Sequence, residues 1–78
     1  MEDLSGLKTG ERGVVRGLSA RGGMRRRLMD LGFTPGARVE PVFSAPGRGM
    51  RAYRIRGTLV ALREADAKTV LLREAAHA

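Results

Sequence analysis

Arg25, Arg26 and Arg27 form the densest run of one chemical type in this chain, and Met29 follows two residues on. A guanidinium is a permanent cation with several fixed donors. The chemistry such a run offers is recognition of an anionic surface, not bond-making. The segment Gly23 to Gly36 predicts a short helix from about Met24 to Leu31, with the arginines near its start. There they oppose the helix macrodipole, at roughly 0.3–1 kcal/mol each when exposed. A cluster that works against its own helix is expected to face a partner, and Arg21 in the preceding loop extends the same flank. The plain alternative is a solvated helix face. A second set of cations, Arg54 and Arg56 with Arg51 just before them, falls on the outward side of a predicted strand, where solvation also accounts for it.

Nothing assembles into a catalytic set. Cysteine is absent, which removes thiol nucleophiles, disulfides and cysteine-ligated zinc. His77 is the only histidine, and Ser5, Ser19 and Ser44 have no base at motif spacing. Asp30, Glu40, Glu64 and Asp66 lack the spacing of a calcium loop. Met24, Met29 and Met50 read as packing rather than as soft-metal ligands. Gly47-Arg48-Gly49 has neither the lysine nor the following helix of a phosphate loop. The expectation is a protein that is not an enzyme and has no cofactor. Iron or another divalent metal finds no supporting ligand spacing.

The 78 residues make one domain, 1–78, with 74–78 as a flexible tail. The net charge is +7, from 13 arginines and 2 lysines against 8 acidic residues. Part of that excess reflects composition bias, and the remainder favours an acidic partner. Phe33, Phe43 and Tyr53 are the only aromatic residues, and Tyr53, read as exposed, is thin support for the stacking platforms of single-stranded nucleic-acid binders. No nucleic-acid partner is expected. No apolar run approaches the roughly 20 residues that span a bilayer, and Met1-Glu2-Asp3-Leu4 lacks a secretory layout. The expectation is a soluble, cytoplasmic chain without direct membrane insertion.

The elements that must position the arginines follow from periodicity. Leu4 and Leu7 are placed to plug a core. Arg12 to Leu18 reads as a strand centred on Val14-Val15. Met24, Leu28 and Leu31 recur at helical spacing and make the buried stripe of the helix. Gly32 ends it in the left-handed conformation, and Thr34-Pro35-Gly36 is a tight turn. Ala37, Val39, Pro41 and Phe43 share one face of the next strand, which Pro41 makes either an edge strand or a bulged one. Phe33 is assigned to the core, with an exposed anchor as the alternative. In the strand Arg51 to Arg56, Tyr53 and Ile55 oppose Ala52, Arg54 and Arg56. Gly57-Thr58 turns into Leu59-Val60-Ala61-Leu62, apolar on both faces and therefore expected at the centre of the sheet. Glu64 to Lys68 is one polar helical turn, and Thr69 to Arg73 is the last strand. Five short strands and a single inserted helix predict an all-β fold, a small five-stranded antiparallel barrel.

Several of these residues also carry a resemblance. Arg27-Leu28-x-x-Leu31-Gly32-x-x-Pro35-Gly36, then Gly57-Thr58-Leu59-Val60-Ala61-Leu62-Arg63, with Leu4, Leu7, Gly10, Val15, Val39, Ala67 and Val70 around them, resembles the FeoA family. The resemblance implies an SH3-like barrel with a helix inserted after the first strand. It also implies an accessory role in bacterial ferrous iron uptake, by contact with the cytosolic G-protein domain of the membrane transporter FeoB. On that reading the chain is recruited to the inner face of the membrane. Gly32, Pro35, Gly36 and Gly57 become structural, Leu28 and Leu31 pack on the barrel, and Arg21, Arg25, Arg26 and Met29 become the partner surface. The loop after Ala45-Pro46 departs from the family's Gly-Asp-Pro, since Gly47 is followed by Arg48-Gly49-Met50. Two other readings stay open: a stand-alone SH3-like domain that contacts an iron-dependent transcriptional repressor, and a small basic barrel that binds nucleic acid.

Overall fold

The computed structural model of the chain describes residues 2–45 and 49–73. A 3₁₀ turn, Leu4–Gly6, precedes β1 (Gly13–Leu18), α1 (Gly22–Asp30), β2 (Arg38–Ala45), β3 (Met50–Ile55), β4 (Thr58–Arg63), α2 (Glu64–Ala67) and β5 (Val70–Leu72). All strand neighbours are antiparallel, in the order β4-β3-β2-β1-β5. The five-stranded all-β architecture with its inserted helix is the one the periodicity predicts. The expected tail at 74–78 and, of the Gly47–Met50 loop, Gly47 and Arg48 lie outside the described residues.

Alternation builds the inner face. Val39, Tyr53, Ile55, Val60, Leu62, Val70 and Leu72 project inward at every second position of their strands, and all are buried. Leu4, Leu7, Leu28 and Phe33 complete the same cluster, so Phe33 is a core residue. β1 bends between two partners. Its first residues pair with β2 and its later ones with β5, with a register shift between Val15 and Gly17. The outer side of β5 is covered by the lead-in, where the Leu72 amide donates to the Glu2 carbonyl at 3.0 Å and Asp3 bridges Leu71.

Four expectations need correction. β4 is an edge strand, not a central one, and Leu59 is 52% exposed. Its apolar run reflects an apolar outer face rather than burial on both sides. Phe43 does not follow Val39 and Pro41 inward but is 54% exposed. The register slips between Pro41 and Phe43, because proline has no N–H for the ladder and the strand bulges there. β2 is internal to the sheet, so of the two options for Pro41 the bulge is the one realised. Tyr53 is buried, not exposed. Met24 is 38% exposed and lies outside the core, leaving Leu28 as the only buried residue of α1.

Candidate partner-binding site

α1 begins two residues earlier than its apolar spacing predicts. Gly22 and Gly23 form its first turn, Arg21 is the N-cap, and no side chain caps the free amides. The arginine run therefore sits in the middle and last turn of the helix, not at its start. The macrodipole falls off within a turn, so the expected conflict is largely absent and Arg27 in the last turn is favourably placed. Arg25 Nη1 donates to the Leu18 carbonyl at 2.8 Å and ties the helix to the end of β1.

The other end is closed by a Schellman motif. The Gly32 amide donates to the Met29 carbonyl and the Phe33 amide to the Leu28 carbonyl, both at 3.0 Å. Gly32 has φ 110°, a conformation that costs a side-chain-bearing residue dearly. Leu28 and Phe33 then meet in the core, and Leu31 packs half-buried against it. A turn follows in which Ala37 N donates to Thr34 O at 2.9 Å, with Pro35 at its second position and Gly36, φ 90°, at its third. The Gly36 amide donates to Val15 O and the Val15 amide to Ala37 O, both at 2.8 Å, which fastens the turn to β1. These contacts fix how α1 lies on the sheet.

With one face held by Leu28 and Leu31, the remaining residues of α1 point outward. Arg25, Arg26 and Met29 come together with Gly22 and Asp30 around an open groove of about 330 Å³. Met29 is 42% exposed. Arg21, exposed at the N-cap, stands beside this groove and does not line it. Arg26 and Asp30, four residues apart, form no ion pair. The surface offers cations, a polarizable thioether and no reactive pair.

Elsewhere the described residues contain no buried polar or charged residue and no buried side-chain polar atom without a partner. No three of their His, Asp or Glu side chains approach closely enough to hold a metal ion. Burial pushes the Tyr53 phenol above its ordinary value, and Arg51, whose guanidinium lies 5.4 Å from the ring centroid, offsets part of that rise. No helix among the described residues is long and apolar enough to cross a membrane.

One feature escaped the sequence reading. Arg12, Arg38, Arg54 and Arg56 gather around Glu40 on the outer face of the sheet. The alternation of Arg54 and Arg56 was a visible signal. That β1 and β2 would add Arg12 and Arg38 depends on strand register, which no local pattern records.

Among known domain families, the FeoA domain matches residues 3–74. The chain belongs to the FeoA family. The fused iron(II) transport protein A/transporter FeoB of Porphyromonas gingivalis is 37% identical over 67 residues, which cover 86% of this chain. The match spans only 8% of that relative's length. The crystal structure of Stenotrophomonas maltophilia FeoA, a prokaryotic SH3 domain protein complexed with zinc, has a TM-score of 0.81 and 31% identity, covering 94% of this chain and 91% of that one. The solution structure of Chlorobium tepidum FeoA has a TM-score of 0.85 and 33% identity, covering 96% and 71%. The curled sheet is thus the SH3-like barrel of FeoA proteins.

Proposed function

We infer that this chain is a non-enzymatic accessory component of bacterial ferrous iron uptake, and that it docks through the outward flank of α1 on the cytosolic G-protein domain of a FeoB-like transporter. The observation that carries this reading is the fused relative, in which a segment like this chain and a FeoB transporter share one polypeptide. Fusion keeps two partners at high effective concentration, which is useful where they work together. The α1 flank supports the reading further, because Arg21, Arg25, Arg26 and Met29 face solvent on a helix anchored at both ends. Guanidiniums with a thioether between them suit an acidic surface with an apolar centre. The chain is accordingly placed in the cytoplasm, at the inner face of the membrane.

Charge reversal at Arg25 and Arg26 (Arg25→Glu/Arg26→Glu) should weaken binding to a purified FeoB-like cytosolic domain by about tenfold or more in calorimetric titration. Because Arg25 also holds Leu18, Arg26→Glu/Met29→Ser serves as a second variant that leaves that bond intact. Undiminished affinity in variants with wild-type circular dichroism would remove α1 as the docking element.

A further inference from the structure

The outer face of β1, β2 and β3 concentrates more cations than its one carboxylate, Glu40, can balance. Glu40 stands directly across from Arg54 in the β2–β3 register, and Gly13 pairs with Val39, which brings the preceding Arg12 beside Glu40. Arg54 Nη1 lies 3.3 Å from Glu40 Oε1 and Arg12 Nε lies 4.0 Å from Oε2. One carboxylate is therefore shared by two guanidiniums. Arg38, two residues before Glu40 and so on the same face, is exposed, and its side chain makes no ion pair or hydrogen bond with the described residues. Arg56 closes the ring, with Nη2 donating to Thr34 Oγ1 at 2.9 Å and Nε to Gly32 O at 3.4 Å. Four positive groups and one negative one leave this cluster at net +3.

Two features show that the cluster is costly to maintain. Like charges on adjacent strands repel. Arg56 also occupies the first position of a two-residue hairpin turn with φ 49°, followed by Gly57 at φ 77°. Asparagine, aspartate or glycine fills such a position with less strain. The four arginines line a cleft of about 230 Å³ with Val39 and Gly57. That is below the roughly 300–1,000 Å³ of sites that enclose a drug-sized ligand, and it suits one or two compact anionic groups. Guanidinium forks aimed from several directions match a tetrahedral oxyanion better than a flat carboxylate, and Glu40 already supplies the latter.

We propose that this cleft binds a phosphate group, either as a free phosphate anion or as the headgroup of an anionic lipid. The second source is included because Leu59, across from Arg54, and Phe43 expose apolar surface on the same outer face. The cleft shares no residue with the α1 groove.

The test is amide-resolved NMR of the full chain titrated with sodium pyrophosphate at low salt, alongside sedimentation with phosphatidylglycerol and phosphatidylcholine vesicles. Pyrophosphate should shift residues 38–40 and 54–57. Arg38→Gln, which breaks no internal contact, should weaken it, and Arg38→Gln/Arg54→Gln should weaken it by about tenfold or more. The charge-matched control Arg25→Gln/Arg26→Gln should change affinity by less than about twofold. Phosphatidylglycerol-selective sedimentation that pyrophosphate competes away, and that both the cleft variant and Phe43→Ser abolish, identifies the headgroup as the source. Pyrophosphate binding without vesicle sedimentation identifies the free anion. Silence with both probes, equal loss in the cleft and control variants, or hexaglutamate binding to the cleft as tightly as pyrophosphate overturns the proposal.

Discussion

At Gly32 the backbone φ is 110°, and a Cβ there would stand 3.0 Å from Arg56 Cδ. At Gly36 φ is 90°, and a Cβ would meet nothing within 4 Å. Alanine at either site introduces backbone strain of about 1–3 kcal/mol. Gly32→Ala must also push aside the Arg56 stem and loosen its bonds to Gly32 O and Thr34 Oγ1. Urea unfolding should therefore rank Gly32→Ala as the more damaging change, and Gly32→Ala/Arg56→Ala should cost less than the sum of the single variants. Equal losses at the two glycines would separate Arg56 from the helix stop. Tyr53 gives a pH prediction with a definite sign. Its folded pKa lies above the unfolded value of about 10, so the fold favours the neutral phenol. That contribution is complete below about pH 10 and is lost as pH rises through the folded value. Tyr53 is the only tyrosine in a chain without tryptophan, so tyrosinate absorbance reports it alone. A midpoint at or below that of free tyrosine would contradict its burial.

α1 rests on the sheet through one buried residue, Leu28, and one half-buried residue, Leu31. Leu28→Ala should cost about 2–5 kcal/mol, the range for truncating a buried leucine. Met24→Ser, at a position the helical spacing also marks as apolar, should change stability by less than about 0.5 kcal/mol, as exposed sites do. Chemical denaturation of both variants checks this, and comparable losses would mean that Met24 is packed. The same contrast explains which parts of the element were legible. Gly32, Pro35 and Gly36 declare themselves because their backbone demands are local. The start of the helix at Gly22 carries no such mark, since no capping side chain precedes it. The bulge at Pro41 follows from a missing donor. That it turns Phe43 outward required the strand pairing itself.

The molecule as a whole carries +7 on 78 residues. The ion pairs among its described residues are exposed or partly exposed: Arg12 and Arg54 with Glu40, and Lys68 with Glu64. Such pairs contribute little, while self-repulsion of a net charge disfavours the compact state. Raising sodium chloride from about 10 mM to about 150 mM shortens the Debye length from about 30 to about 8 Å. The thermal midpoint should rise over that interval. A falling midpoint would mean that attractive pairs dominate. Part of the charge gathers in two separate patches, the α1 flank and the outer-face cleft, and net charge alone gives no hint of them.

Composition and periodicity were enough to determine a small all-β barrel with one inserted helix, the glycine and proline turns that stop that helix, and the absence of a recognisable catalytic motif. Each of these follows from dihedral preferences or hydrophobic spacing within a dozen residues. Tertiary structure alone decided that β4 lies at an edge, that Tyr53 is buried while Phe43 and Met24 are not, and that Arg12 and Arg38 join Arg54 and Arg56 around Glu40. Those outcomes depend on strand order and register. They are settled by contacts between residues far apart in the chain, where a shift of one position exchanges the inner face for the outer.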